Sequence, residues 1–131
     1  MAAAEAGGTR RILVAEDSTA GQAVLQKLLT ALGFTPVFAG SGREAVAMFV
    51  EYPDIALILM DVRMPNLNGI KAAQEIRLAG SGNAMRVPII GMTAADGPEV
   101  RRECLSSGMN EMLVKPLDPR KLVETIRRFL L

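Results

Sequence analysis

Short apolar runs of strand length alternate along this chain with longer segments whose apolar residues recur at helical spacing. That alternation narrows the possible folds more than any other feature. It makes βα units, and βα units build a parallel sheet with helices on both faces. Ile12–Ala15 reads as the first strand. Ser18 stands where a helix N-cap is needed, and Val24, Leu25, Leu28, Leu29 and Leu32 share one face as far as Gly33, a C′ residue. Thr35–Ala39 is a second strand, and Pro36, which cannot donate to a ladder, marks it as an edge. Ser41 caps a helix running to roughly Glu51, with Ala45, Met48 and Phe49 facing inward. Ile55–Met60 is apolar throughout, as a central strand buried on both faces must be.

A turn over Met64–Gly69 leads to a third helix ending near Leu78, followed by a loop over Gly80–Asn83. Val87–Met92 is the fourth strand. Asp96, Gly97 and Pro98 open a fourth helix that stops at Gly108, and Glu111–Val114 is the fifth strand. Asp118 and Pro119 are an N-cap followed by proline at N1. The helix they open buries Leu122, Ile126, Phe129 and Leu130. The expected architecture is a doubly wound (βα)5 flavodoxin-like sandwich of class α/β, with a parallel five-stranded sheet in the order 2-1-3-4-5. Residues 1–9, rich in Ala and Gly, read as a flexible leader or linker, and 10–131 as one domain.

Composition removes several functions. The chain has no histidine, which excludes a Ser-His-Asp triad, a histidine metal site and a phosphohistidine of its own. The single Cys104 excludes an internal disulfide and a cysteine zinc cluster. Fifteen basic residues against 14 acidic ones lack the basic excess of a duplex binder, and 4% aromatic content gives no base-stacking platform. No apolar run approaches the length of a membrane span. A cytoplasmic protein with no nucleic-acid or membrane contact is expected.

Ligands of open α/β sheets bind beyond the carboxyl ends of the strands, at the switch point in strand order. Glu16 and Asp17 follow the first strand, Asp61 the third, Thr93 the fourth and Lys115 the fifth. Singly, each has an ordinary explanation: acids suit a helix N-terminus, Asp61 can cap, Thr93 can bond backbone, and Lys115-Pro116 can turn. Their coincidence at the end of every strand but the second is what points to a site. Grouped carboxylates repel unless a cation joins them, and hard oxygen donors without His or Cys suit Mg2+. An Asp nucleophile beside a cation, a lysine and a hydroxyl is the kit for phosphoryl transfer to a carboxylate.

Four segments carry a resemblance: Arg11–Asp17, Leu59–Pro65 through Gly69, Pro88–Ala94, and Gly108-Met109 through Lys115-Pro116. Over about residues 10–131 the chain resembles the receiver domains of two-component response regulators and hybrid histidine kinases. The resemblance implies that Asp61 accepts a phosphoryl group from a partner phosphohistidine. It implies that Asp17, Asp61 and the Arg63 carbonyl ligate Mg2+ directly, with Glu16 acting through water. Thr93 becomes the switch hydroxyl, Lys115 pairs with the phosphoryl group, and the Lys115-Pro116 bond is cis. The implied partners are a histidine kinase or histidine phosphotransfer domain and a downstream output protein or domain. Such a chain is no conventional enzyme. Its own chemistry is self-phosphorylation and slow dephosphorylation at Asp61, and a larger parent protein can be a histidine kinase.

The chain departs from the family pattern in places. Met112 stands where a switch aromatic is usual, and a flexible thioether also serves as core filler. Ala95 offers no polar group to orient an attacking water, which implies slow loss of the phosphoryl group. Asn68 replaces a common Asp. The expected switching face joins the fourth helix, fifth strand and fifth helix and carries Met109, Met112 and Lys121. Arg101, Arg102, Arg127 and Arg128 are solvated helix faces or a dock for an acidic partner. The wording of the motifs favours a receiver module of a hybrid kinase, with a stand-alone regulator as the alternative. A haloacid-dehalogenase-type phosphatase would need a second Asp where Arg63 stands. An FMN binder would need a phosphate cradle where Glu16 and Asp17 stand. A receiver-like interaction module that is never phosphorylated is the third rival.

Overall fold

A computed structural model describes residues 10–64, 66–79, 83–94 and 97–130. Its elements are β1 (Arg11–Ala15), α1 (Thr19–Ala31), β2 (Thr35–Ala39), α2 (Gly42–Glu51), β3 (Ile55–Asp61), α3 (Gly69–Leu78), β4 (Ile89–Thr93), α4 (Pro98–Ser106), β5 (Glu111–Val114) and α5 (Pro119–Leu130). The five strands are parallel and ordered β2-β1-β3-β4-β5, as expected. The expected leader over residues 1–9 and the loop residues 80–82 lie outside the described residues, as do Pro65, Ala95 and Asp96.

Local chemistry sets the element ends. Ser18 and Ser41 accept hydrogen bonds from the amides of Gly21 and Glu44, and Asn68 accepts one from Lys71. Each satisfies an amide that the first helical turn leaves unpaired. Asn68 therefore does the capping that an Asp does in the same place. Gly33 closes α1 with φ +91°, a left-handed conformation that glycine adopts without steric cost. β4 begins at Ile89 and not at Val87, because Pro88 has no amide to give and its carbonyl instead accepts from Ile58.

Successive residues of the inner strands point to opposite faces, and both faces are covered. Ile12, Val14, Leu57, Leu59, Ile90 and Met92 pack under α1 and α5. Leu13, Ala15, Ile58, Met60 and Ile89 pack with Ala45, Phe49, Ile76 and Cys104 under α2, α3 and α4. Of the helical stripe expected on α1, Leu25 and Leu29 are buried and Leu28 and Leu32 partly so, but Val24 is 55% exposed. The stripe is narrower than the spacing suggested. In α5, Leu122 and Ile126 are buried, while Phe129 and Leu130 only lean on the core.

Met109 and Met112, expected on the switching face of α4, β5 and α5, are core residues, 3% and 4% exposed, which for Met112 is the core-filler reading. Gly91 on β4 makes the room: a Cβ there would sit 2.7 Å from the Met109 sulfur and 3.5 Å from Met112 Cγ. Their place on the outer face is taken by Lys121, Val114 and a charged row in which Glu111 meets Arg101 at 3.5 Å and Arg128 at 2.6 Å.

One element of the architecture has no sequence signal. Arg77, in the last turn of α3, uses every guanidinium N–H. It donates to the carbonyls of Gly108 (3.0 and 2.7 Å), Ala84 (3.0 Å) and Val87 (2.7 Å) and to Asn110 Oδ1 (2.9 Å). Asn110 Oδ1 also accepts from the amide of Ile89. One side chain thus ties α3 to the approach to β4 and to the turn between α4 and β5. Burial lowers its pKa.

Candidate phosphoacceptor and cation site

The residues singled out by their strand-end positions come together at the carboxyl edge of the sheet. β1 and β3 are neighbours, so Glu16 and Asp17 just past β1 stand beside Asp61, the last residue of β3. Oxygens of Glu16, Asp17 and Asp61 lie within 4.8 Å of one another. Glu16 is 3% exposed and Asp61 6%, while Asp17 opens to solvent. Gly69 lets α3 start hard against this edge: a Cβ there would fall 2.2 Å from the Asp61 carbonyl oxygen. The Gly69 amide donates to the Val62 carbonyl at 3.0 Å.

Lys115 reaches in from the loop after β5. Its Nζ donates to Asp61 Oδ2 at 2.7 Å and to Glu16 Oε1 at 2.9 Å. Burial pulls the Lys115 pKa down, but hydrogen bonds and attraction from Asp61 and Glu16 outweigh it and hold the ammonium above the usual lysine range. The next peptide, Lys115-Pro116, is cis, as the resemblance implied. Thr93 ends β4 with its side chain buried, and its carbonyl accepts from the Lys115 amide at 2.7 Å. The Arg63 amide donates to Asp61 Oδ1 at 3.1 Å, and the Arg63 side chain lies in solvent. Met112 is buried in the core on β5, with β4 between it and Asp61 on β3. Ala95 is outside the described residues.

Three carboxylates and one ammonium leave two negative charges uncompensated, which a divalent cation matches. The donor set is oxygen only and opens to solvent at Asp17, as suits a cation that keeps several waters. Beside this edge a groove of about 210 Å3 runs between α1 and the loop after β5, lined by Glu16, Ser18, Gly21, Val24, Leu25, Lys115, Pro116 and Leu117.

Fold and site together define a doubly wound module with three carboxylates and a lysine gathered at its switch point. The chain belongs to the response regulator receiver domain family, whose model matches residues 12–127. It is thus a receiver domain of the two-component phosphorelay class. It is 34% identical over 121 residues to hybrid signal transduction histidine kinase I of Dictyostelium discoideum, covering 89% of this chain and 7% of that protein. The receiver domain of sensor histidine kinase PA1611 from Pseudomonas aeruginosa, solved with a magnesium ion in its active site cleft, is 35% identical. It superposes with a TM-score of 0.85 over 94% of this chain and 98% of that one. The receiver domain of Saccharomyces cerevisiae Ssk1, crystallised with the histidine phosphotransfer protein Ypd1, is 30% identical with a TM-score of 0.83, covering 94% and 90%. No helix among the described residues is long and apolar enough to cross a membrane.

Proposed function

We propose that this chain accepts a phosphoryl group on Asp61 from a phosphohistidine, with Mg2+ held by Asp17, Asp61 and the Arg63 carbonyl and, through water, Glu16. The observation that carries the reading is Lys115 Nζ 2.7 Å from Asp61 Oδ2 inside a pocket that still lacks two positive charges. Asp61 is the nucleophile. An Asp61 oxygen bonds to phosphorus as the P–N bond breaks, and the electron pair stays on the departing imidazole nitrogen. When bound, Mg2+ supplies positive charge where phosphoryl oxygens arrive. Lys115 pairs with those oxygens from the other side, at the cost of its contact with the Asp61 carboxylate. Thr93, buried at the end of β4, offers its hydroxyl to the same oxygens and so carries the change of state towards α4.

The phosphodonor is a protein with an exposed phosphohistidine, as in the company that the Ssk1 receiver keeps. The groove beside Lys115, with the exposed Val24 and with Leu117 along it, suits the apolar flank of such a donor. A cytoplasmic module of a hybrid kinase fits the long relative, and a stand-alone regulator is the alternative. Val24→Asp is expected to slow transfer from a phosphohistidine protein about tenfold, or ~1.4 kcal/mol, and to leave phosphorylation by a small donor near the parent rate. Stopped-time transfer assays with both donors check this.

Intact-mass spectrometry tests the function itself. The chain is incubated with Mg2+ and a small phosphodonor, with and without chelator. One added phosphoryl group, absent under chelation, is expected. No adduct from a small donor or from a phosphohistidine protein, with the fold intact, would leave the chain an interaction module.

A further inference from the structure

Glu16 is one methylene longer than the other two carboxylates of the site, and it is nearly sealed from solvent. Its side chain folds back over the first turn of α1. There Oε2 accepts from the Ser18 amide at 3.1 Å and Oε1 from Lys115 at 2.9 Å. The space for that fold is the missing side chain of Gly21. A Cβ on Gly21 would stand 3.0 Å from Glu16 Cδ, 3.1 Å from Oε1 and 3.2 Å from Cγ.

Nothing around this contact gives easily. The Glu16 backbone is pinned from both sides: its amide donates to the Ala39 carbonyl at 2.9 Å, and its carbonyl accepts from Gln22 Nε2 at 2.7 Å. The helical turn that carries Gly21 is fixed too, because the Gly21 amide donates to Ser18 Oγ. A side chain at 21 therefore presses first on the Glu16 carboxylate and, through it, on its bonds to Ser18 and Lys115. Gly21 needs no special backbone angle in α1, so its value lies in the room it leaves.

We propose that Gly21 is a positioning residue for the cation site: the room it leaves seats the Glu16 carboxylate in its bonds to Ser18 and Lys115 beside Asp17 and Asp61. The inference rests on the cation site proposed above. The test measures Mg2+ affinity from amide shifts in NMR titrations, with thermal melting in chelator alongside, for the parent, Gly21→Ala, Glu16→Asp and the double variant. Gly21→Ala is expected to bind Mg2+ about tenfold more weakly, as disturbed support of a ligand does. Its melting temperature should hold or rise, since Ala is the better helix former. In the shorter Glu16→Asp background, the same change at 21 should be silent. Parent-like affinity in Gly21→Ala overturns the proposal, as does an equal loss in the Glu16→Asp background. A parent chain that shows no Mg2+-dependent shifts overturns the cation site itself, and the proposal with it.

Discussion

Asp61→Asn abolishes the phosphoryl adduct and leaves a folded domain: that is the expected result with the largest functional effect. The amide matches the carboxylate in shape, so its oxygen can still accept from the Arg63 amide, and no cavity opens. It is no nucleophile towards phosphorus. Lys115 loses its bond to Asp61 but keeps Glu16 at 2.9 Å. Repulsion among the three acids falls at the same time. The two changes oppose each other, and stability should stay within about 1 kcal/mol of the parent. Mg2+ affinity should fall about tenfold or more, because one of few charged ligands is gone. Mass spectrometry, chemical denaturation and a Mg2+ titration on one preparation check all three. An adduct of parent size would place the acceptor elsewhere.

The largest effect on stability is expected at the other end of the sheet. Arg77→Met should cost about 3 kcal/mol, or about 10 °C in melting temperature for a domain of this size. The change keeps the aliphatic stem and removes every N–H. The carbonyls of Gly108, Ala84 and Val87 and the amide oxygen of Asn110 then lose a charged donor. Water recovers some of these bonds at the surface, which holds the loss below the sum of the parts. Arg77→Lys should recover less than half of it, since a point charge cannot span acceptors set in a fork. α3 is ten residues long, about 15 Å, so Arg77 lies a full helix away from Asp61. Phosphorylation of the folded fraction should therefore be unchanged. Denaturant melts of both variants decide it, and a cost under 1 kcal/mol for Arg77→Met would show that solvent replaces the guanidinium.

These two residues also mark how much the chain discloses about itself. Asp61 was legible because a strand end is a topological address. Apolar runs gave the strands, the edge proline and the crossovers gave their order, and the residue after each run then fell at one rim. Glu16, Asp17, Thr93 and Lys115 were found by the same route. Arg77 was not, because its partners are mostly backbone carbonyls, which look alike at every position. Val24 and the methionines misled in opposite directions. Helical spacing says that a residue shares a face with others but not how far the neighbouring layer extends, so Val24 was placed inside. Met109 and Met112 are read as part of a switching face, with core filler as the second reading of Met112, because the room that Gly91 leaves for a thioether shows only once β4 and β5 are side by side. The dependence of Glu16 on Gly21 is of the same kind: a contact made by an absent atom.

The outer edge of β2 has a consequence for how molecules of this kind meet. The Thr35 amide donates inward to the Arg10 carbonyl, and the Ala39 carbonyl accepts inward from Glu16. Residues of a strand alternate in this respect, so Pro36 and Phe38 turn their main chains outward. At Pro36 that means a ring and no amide hydrogen. A strand from another molecule would find a single donor, that of Phe38, along the rim of β2 and could not continue the sheet. Growth by strand addition, the route to fibres and to irreversible clumping, is closed on this side by one residue. Along this rim encounters are left to side chains and not to ladders, and partners held that way can let go.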